Sequence, residues 1–286
     1  MTKYDIASWV EQENNPRNRS FREAVHTILI AIANNKNLHA NMIMKGGILL
    51  ALRYESQRYT TDLDFSTSKT IKQFNKNRFF TELEKSLISA SEQLDYGLDC
   101  RLQSHRTNPP STEASFPTMK LRIGYANKNN IRDHRRLLKK RSINVVEIDL
   151  SFNEFNQEIE MMNLTEGGDI SIYSLTDLVA EKFRAILQQE VRNRYRRQDI
   201  YDLYYLLTKI PVNDNKKQQI LNSLLKKSST RDLKIEKKSM RKSVIVKRTQ
   251  KEYHLLKQEI LGDLPDFNKV YSHARDFYES LPWSNN

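Results

Sequence analysis

Apolar residues from Phe21 to Ala33 recur at helical spacing, which predicts an amphipathic or buried helix with Ser20 as its N-cap. A second apolar helix is predicted over Lys45–Tyr54, entered through Gly46-Gly47, and a short strand over Thr61–Phe65. Phe74, Phe79, Leu83, Leu87, Ile88 and Leu94 place a long helix within Ile71–Leu94. Tyr96–Gln103 and Thr118–Tyr125 read as extended, with Met119, Leu121 and Ile123 alternating with Lys120 and Arg122, and Pro109-Pro110 between the two runs. In the strand predicted over Ile143–Phe152, Val146, Ile148 and Leu150 share one face while Glu147, Asp149 and Ser151 share the other. Gly167-Gly168-Asp169 marks a turn before a short run, Ile170–Tyr173. Beyond it the pattern turns helical. Helices are expected from a cap at Ser174 or Thr176 to Glu190, over Gln198–Leu207, Asn215–Lys226 and Lys251–Leu261, and from Pro265 to Tyr278. Strands that do not strictly alternate with helices, followed by helices alone, imply an α+β first domain, residues 1–173, and a helical second domain, residues 174–286.

The first candidate chemistry lies between positions 45 and 65. Strand side chains alternate, so Asp62 and Asp64 point one way and Leu63 and Phe65 the other. Two carboxylates on one edge make a site for a hard divalent cation. Glycines at a helix start let phosphate approach the backbone N–H groups. With only seven glycines in the chain, an adjacent pair calls for a backbone reason. Together these residues point to metal-assisted phosphoryl or nucleotidyl transfer.

Composition narrows the classes. With 38% hydrophobic and 29% charged residues over 286 positions, the chain is globular but polar. The formal net charge of +12 favours a polyanionic partner, and nucleic acid over a membrane surface, because no basic amphipathic anchor stands out. The longest strongly apolar run, Ala24–Ala33, is too short to span a bilayer. Cys100 is the sole cysteine, which excludes an internal disulfide and any cysteine-based zinc site. A cytoplasmic protein is the expectation. The six histidines are scattered, and the sequence has neither a Gly-x-Ser-x-Gly elbow nor a Walker loop. Basic residues concentrate in Lys128–Arg141 and in Lys226–Lys251; the second, with eleven Lys/Arg, is expected to be a solvated linker, a mobile loop or an arm that orders on RNA.

The string Lys45-Gly46-Gly47 … Arg58-Tyr59-Thr60-Thr61-Asp62-Leu63-Asp64 resembles the AbiEii/AbiGii nucleotidyltransferase toxin family, whose MenT-like members have the polymerase-β-type nucleotidyltransferase fold. Asp177-Leu178-Val179-Ala180-Glu181-Lys182-Phe183-Arg184-Ala185 is similar to that family's lysine helix, and Arg197-Gln198-Asp199-Ile200-Tyr201-Asp202-Leu203 to its Arg-x-Asp-x-x-Asp-Leu helix. The three segments occur in the family's order between residues 20 and 210. The resemblance implies a mixed sheet core flanked by helices, with the helical domain completing the active site. It implies an NTP substrate with Mg²⁺ as cofactor. Asp62, Asp64, Lys182 and Asp199 would be catalytic, Lys45, Gly46, Gly47 and Lys182 would bind nucleotide, and Asp62, Asp64 and Asp149 would bind metal. Asp149 shares its face with Glu147, which competes for the third-carboxylate role. Asp202 is left for a capping or ion-pair role, and Arg58 and Thr60 flank the aspartate pair as supports. A cognate antitoxin is the implied protein partner. The implied acceptor is RNA, the tRNA 3′ end, whose blocked charging would arrest translation. Nucleotide transfer onto a protein target, or a non-catalytic nucleic-acid-binding protein, are the alternatives.

Overall fold

A computed structural model describes residues 3–111 and 113–284. Its strands are β1 (Lys3–Tyr4), β2 (Ile43–Lys45), β3 (Asp62–Ser66), β4 (Leu98–Asn108), β5 (Thr118–Asn127), β6 (Val145–Ser151), β7 (Ile159–Leu164) and β8 (Asp169–Tyr173). They form one mixed sheet in the order β1-β7-β8-β2-β3-β6-β5-β4. Alternation sets its two faces. β3 runs parallel to β6, with Leu63 opposite Ile148 and Phe65 opposite Leu150, and β5 runs antiparallel to β6, with Leu121 opposite Ile148. All five side chains are fully buried. The partner residues on the other face are Asp62, Asp64, Glu147, Asp149, Lys120 and Arg122. Shifting any of these strands by one residue would carry the apolar row into solvent, so burial itself fixes the register.

The apolar face packs against α2 (Pro16–Ala33) and α5 (Lys76–Gln93), which contribute buried Ile28, Leu29, Phe79, Leu83 and Leu87. α2 starts one turn earlier than the periodicity predicts. Asn15, not Ser20, is its cap, accepting from the Arg17 and Asn18 amides, and Pro16 follows where a missing N–H costs nothing. α5 starts at Lys76 behind the Asn75 cap, while Ile71 and Phe74 sit buried in the preceding turn. The remaining helices of this half are α1 (Ile6–Glu11), α3 (Lys36–Asn41), α4 (Gly46–Tyr54) and α6 (Ile131–Leu138). Of these the hydrophobic pattern predicts α4 alone.

The chain folds as two compact units: residues up to 55, 60–154 and 159–172 form the sheet unit, and residues 56–59, 155–158 and from 173 onward form the helical unit. In the helical unit, α7 (Leu175–Leu187) packs against α8 (Arg197–Lys209) and α9 (Asp214–Ser229), and α8 against α11 (Phe267–Glu279). α7 is buried along most of its length and is capped by Ser174, whose hydroxyl accepts from the Asp177 amide.

Two expectations are corrected here. Lys226–Lys251 is no linker or arm. It holds the end of α9, a 3₁₀ turn at Ser239–Arg241 and α10 (Ser243–Gln250), pinned by buried Met240, Ile245 and Thr249. The Tyr271 hydroxyl donates to the Met240 carbonyl, and Gln189 Nε2 to the Ile245 carbonyl. Spaced apolar positions anchor the segment while most of its charged heads stay in water; Lys227 is the buried exception. Lys251–Leu261 contains a 3₁₀ helix, Tyr253–Gln258, rather than an α-helix; it follows Glu252 in a left-handed conformation, which an α-helix does not continue through. No helix among the described residues is long and apolar enough to cross a membrane.

Candidate active site

β2 brings the chain to Lys45 in extended conformation, directly opposite Asp64 of β3. The chain then turns into α4 through Gly46, whose φ of +76° lies in the left-handed region. A Cβ on Gly46 would stand 2.8 Å from both Cβ and Cγ of Asp64 and closer still to Oδ2. Glycine is thus required twice, by the turn and by the carboxylate pressed against the backbone. Gly47 follows as a buried residue of the first helical turn. Lys45, at the N-cap of α4, makes no side-chain cap bond of its own; the leading N–H groups of a helix are the groups that can receive an anion. The Lys45 ammonium lies 4.0 Å from Glu154.

Asp62 and Asp64 share one face of β3, as the alternation predicts. The parallel partner β6 sets Glu147 beside Asp62 and Asp149 beside Asp64. Four carboxylates therefore occupy adjacent positions on two neighbouring strands. Crowding shows in the titration of Asp62: partial burial, then the charges of Asp149 and Glu147, push its carboxyl above the ordinary value. Thr61, not Thr60, reaches it, with its hydroxyl 3.5 Å from Asp62 Oδ1. The next strand answers the negative charge: Lys120 Nζ lies 3.2 Å from Asp149 and Arg122 Nε 3.7 Å from Glu147.

Among the described residues, no three His, Cys, Asp or Glu side chains form a ligand set for a metal. Mg²⁺ commonly takes one or two protein carboxylates and completes its shell with water and phosphate oxygens. The carboxylates at Asp62 and Asp64, on one face of β3, are chemically suited to that partial set. Asp149, expected as a third ligand, is ion-paired to Lys120.

The other sequence-predicted residues gather in the helical unit. Lys182, 6% exposed, places Nζ 3.1 Å from Asp199 Oδ1 and 2.7 Å from Asp202 Oδ2. Burial opposes its charge, but the carboxylates of Asp202 and Asp199 outweigh burial and raise its pKa. Asp202 is the hub. Arg58 grips it with two parallel bonds, Nε to Oδ1 at 2.8 Å and Nη2 to Oδ2 at 2.9 Å. Burial works against the Asp202 carboxylate, yet the Arg58 and Lys182 charges hold its pKa down at about 2. Arg58 is thus the main partner of Asp202 within the helical unit. Asp199 is more open and also meets Arg196 at 3.5 Å. Glu181, the obvious neighbour for Lys182, pairs instead with Arg184.

Comparison with known proteins follows from this geometry. The model of the family described as nucleotidyl transferase AbiEii toxin, type IV toxin–antitoxin system, matches residues 27–279. Among solved structures, the chain is similar to the nucleotidyltransferase toxin MenT4 of Mycobacterium tuberculosis, with a TM-score of 0.56 and 11% identity over 98% of this chain and 89% of that one. It is also similar to a protein of H. pylori described as a nucleotidyltransferase, with a TM-score of 0.50 and 17% identity over 93% of this chain and 95% of that one. At these identities the likeness is one of fold. No curated protein matches the chain in sequence.

Proposed function

The chain belongs to the nucleotidyl transferase AbiEii toxin family of toxin–antitoxin systems, and from that premise we propose that it moves a nucleoside monophosphate from an NTP to the 3′ end of an RNA, a tRNA in the first instance. As a family member it is a nucleotidyltransferase toxin, and its family implies an antitoxin partner. The acceptor, the metal and the residue roles are our reading. One observation carries it: Asp64, paired with Asp62 on one face of β3, lies against the glycine backbone that opens α4. Carboxylates for a cation and the helix-start amides for phosphate oxygens adjoin within one unit.

In this reading Asp62 and Asp64 would hold Mg²⁺, which would supply positive charge where negative charge builds up on the reacting phosphates. The amides at Gly46 and Gly47, with Lys45, cradle phosphate oxygens. The acceptor 3′-oxygen forms a bond to the α-phosphorus, the bond from that phosphorus to the β-bridging oxygen breaks, pyrophosphate leaves, and the hydroxyl proton passes to solvent. Positioning and electrostatics carry most of the rate in such chemistry. Asp149 sets the charge around the pair through Lys120. Lys182 and Asp199 enter the reading through the family resemblance, Lys182 as a point cation for phosphate and Asp199 as its orienting partner.

The test incubates purified protein with each labelled NTP, Mg²⁺ and total RNA, beside Asp64→Asn. We expect label on RNA with wild type and at least about a hundred-fold less with the variant. Absence of transfer from all nucleotides, together with equal growth arrest by the variant, would remove the enzymatic reading; label on protein alone would replace the acceptor.

A further inference from the structure

The strand register that aligns the carboxylates continues past them. On the polar face of the sheet one row reads Asp64, Asp149, Lys120, Arg106 across β3, β6, β5 and β4, each residue in register with the next. The adjoining row reads Asp62, Glu147, Arg122, Ser104. Negative charge occupies the two inner strands and positive charge the two outer ones. Arg106, Arg122 and Glu147 are exposed, and Lys120 and Asp149 are half-buried.

The same face leads to α6. His134 of α6 meets Asp99 of β4 at 2.9 Å, and Gln103 of β4 donates to the Leu137 carbonyl. At Gly124 a Cβ would come within 2.7 Å of Gln103 and Ser142, so the segment after α6 sits directly on the sheet there. Arg132, Arg135, Arg136, Lys139 and Arg141 of α6 and its exit line a surface concavity of about 540 Å³ together with Ile131.

We propose that Lys120, Arg122 and Arg106 form a phosphodiester track that carries the single-stranded 3′ end of an RNA across β4 and β5 toward the Asp62–Asp64 pair, with the α6 concavity receiving the strand's upstream phosphates. This rests on the RNA reading above. Three observations favour the track. First, charge separates by strand, so a polyanion lying over β4 and β5 ends where a cation-binding pair begins. Second, Arg122–Glu147 is an exposed ion pair of the kind that contributes little, and Lys120–Asp149 is half-open to solvent, so exchanging a carboxylate for a phosphate disturbs the fold little. Third, these basic residues stand on strands, whose side chains are held more rigidly than those of loops.

The test titrates a fluorescein-labelled single-stranded oligoribonucleotide of about twelve nucleotides, without NTP, into full-length wild type, Lys120→Gln, Arg122→Gln, Arg106→Gln and a control on the helix-covered side of the same unit, Lys36→Gln in α3, over a salt series. Each track variant should lower the slope of log affinity against log salt by about one and weaken binding roughly five-fold near 0.15 M salt. The control should lose much less. In the transfer assay, Arg106→Gln should raise KM for the acceptor and leave KM for the NTP unchanged, which a change in the carboxylates' charge balance alone would not produce. Wild type that binds RNA with all four variants at equal slope overturns the track and leaves the RNA reading intact. Wild type that binds no RNA while labelling a protein overturns both.

Discussion

Gly46 and Asp64 share space that a methyl group would contest. Replacing Gly46 by alanine puts a side chain into the left-handed conformation, at a cost of roughly 1–2 kcal/mol, and drives it into the Asp64 carboxylate. We expect Gly46→Ala to fold, with urea unfolding showing a loss of that size, and to lose nucleotide transfer far beyond what the stability change explains. A variant with wild-type transfer rates would mean that the Gly46–Asp64 contact is packing alone. The seven glycines make the adjacent pair conspicuous in the sequence, but the sequence does not say which carboxylate the backbone touches. That depends on β2 and β3 pairing so that Lys45 faces Asp64.

α7 illustrates how one element is tied down by a residue to which the sequence assigned no role. Asp177, fully buried in its first turn, accepts from the Gln157 and Glu158 amides through Oδ2 at 2.9 Å each. Its Oδ1 accepts from the Ser223 hydroxyl at 2.6 Å and lies 3.3 Å from buried Lys227. One carboxylate thereby joins segment 155–158, α7 and α9. Asp177→Asn leaves the Lys227 ammonium buried without its charge partner, which should cost about 3–5 kcal/mol. Ser174→Ala at the cap of the same helix should cost about 1 kcal/mol. Urea midpoints for the two variants measure the difference, and equal losses would contradict the clasp. Helices such as α7 and α8 were legible because their apolar positions repeat at helical spacing. α6 was not, since Leu137 is its one buried residue and its sequence reads as a run of charge.

At the scale of the whole molecule, buried charge gives folding a pH dependence. Asp202 titrates at about 2 in the folded chain against an ordinary 3.8. A folded value below the unfolded one contributes stability above pH 3.8, and that contribution drains away as pH falls toward 2, an amount of about 2 kcal/mol. Asp202→Asn should therefore be less stable than wild type by about 3–5 kcal/mol at neutral pH, because Arg58 and Lys182 lose their shared partner. Its stability should also lack the Asp202-dependent fall between pH 3.8 and 2. Urea midpoints from neutral pH down to 2 check both, and an unaltered acid limb would place the acid sensitivity elsewhere.

The sequence by itself determined what alternation and local spacing can encode: which face of β3 and β6 each carboxylate occupies, where the glycine turn stands, that α7 and α8 are helices, and the family in whose order the motifs fall. Those are properties of neighbours along the chain, set by side-chain geometry and backbone freedom. Only the tertiary structure decided which distant segments meet. It paired β3 with β6 so that Asp64 faces Asp149, and it sent Arg58 to Asp202 across 144 positions. It also found β2 and β7, too short or too irregular in pattern to announce themselves, and held Lys226–Lys251 in place through scattered buried contacts. Register and long-range ion pairing follow from burying one continuous apolar face and leaving no charge unpaired inside it, a condition on the assembled molecule that no short window of residues contains.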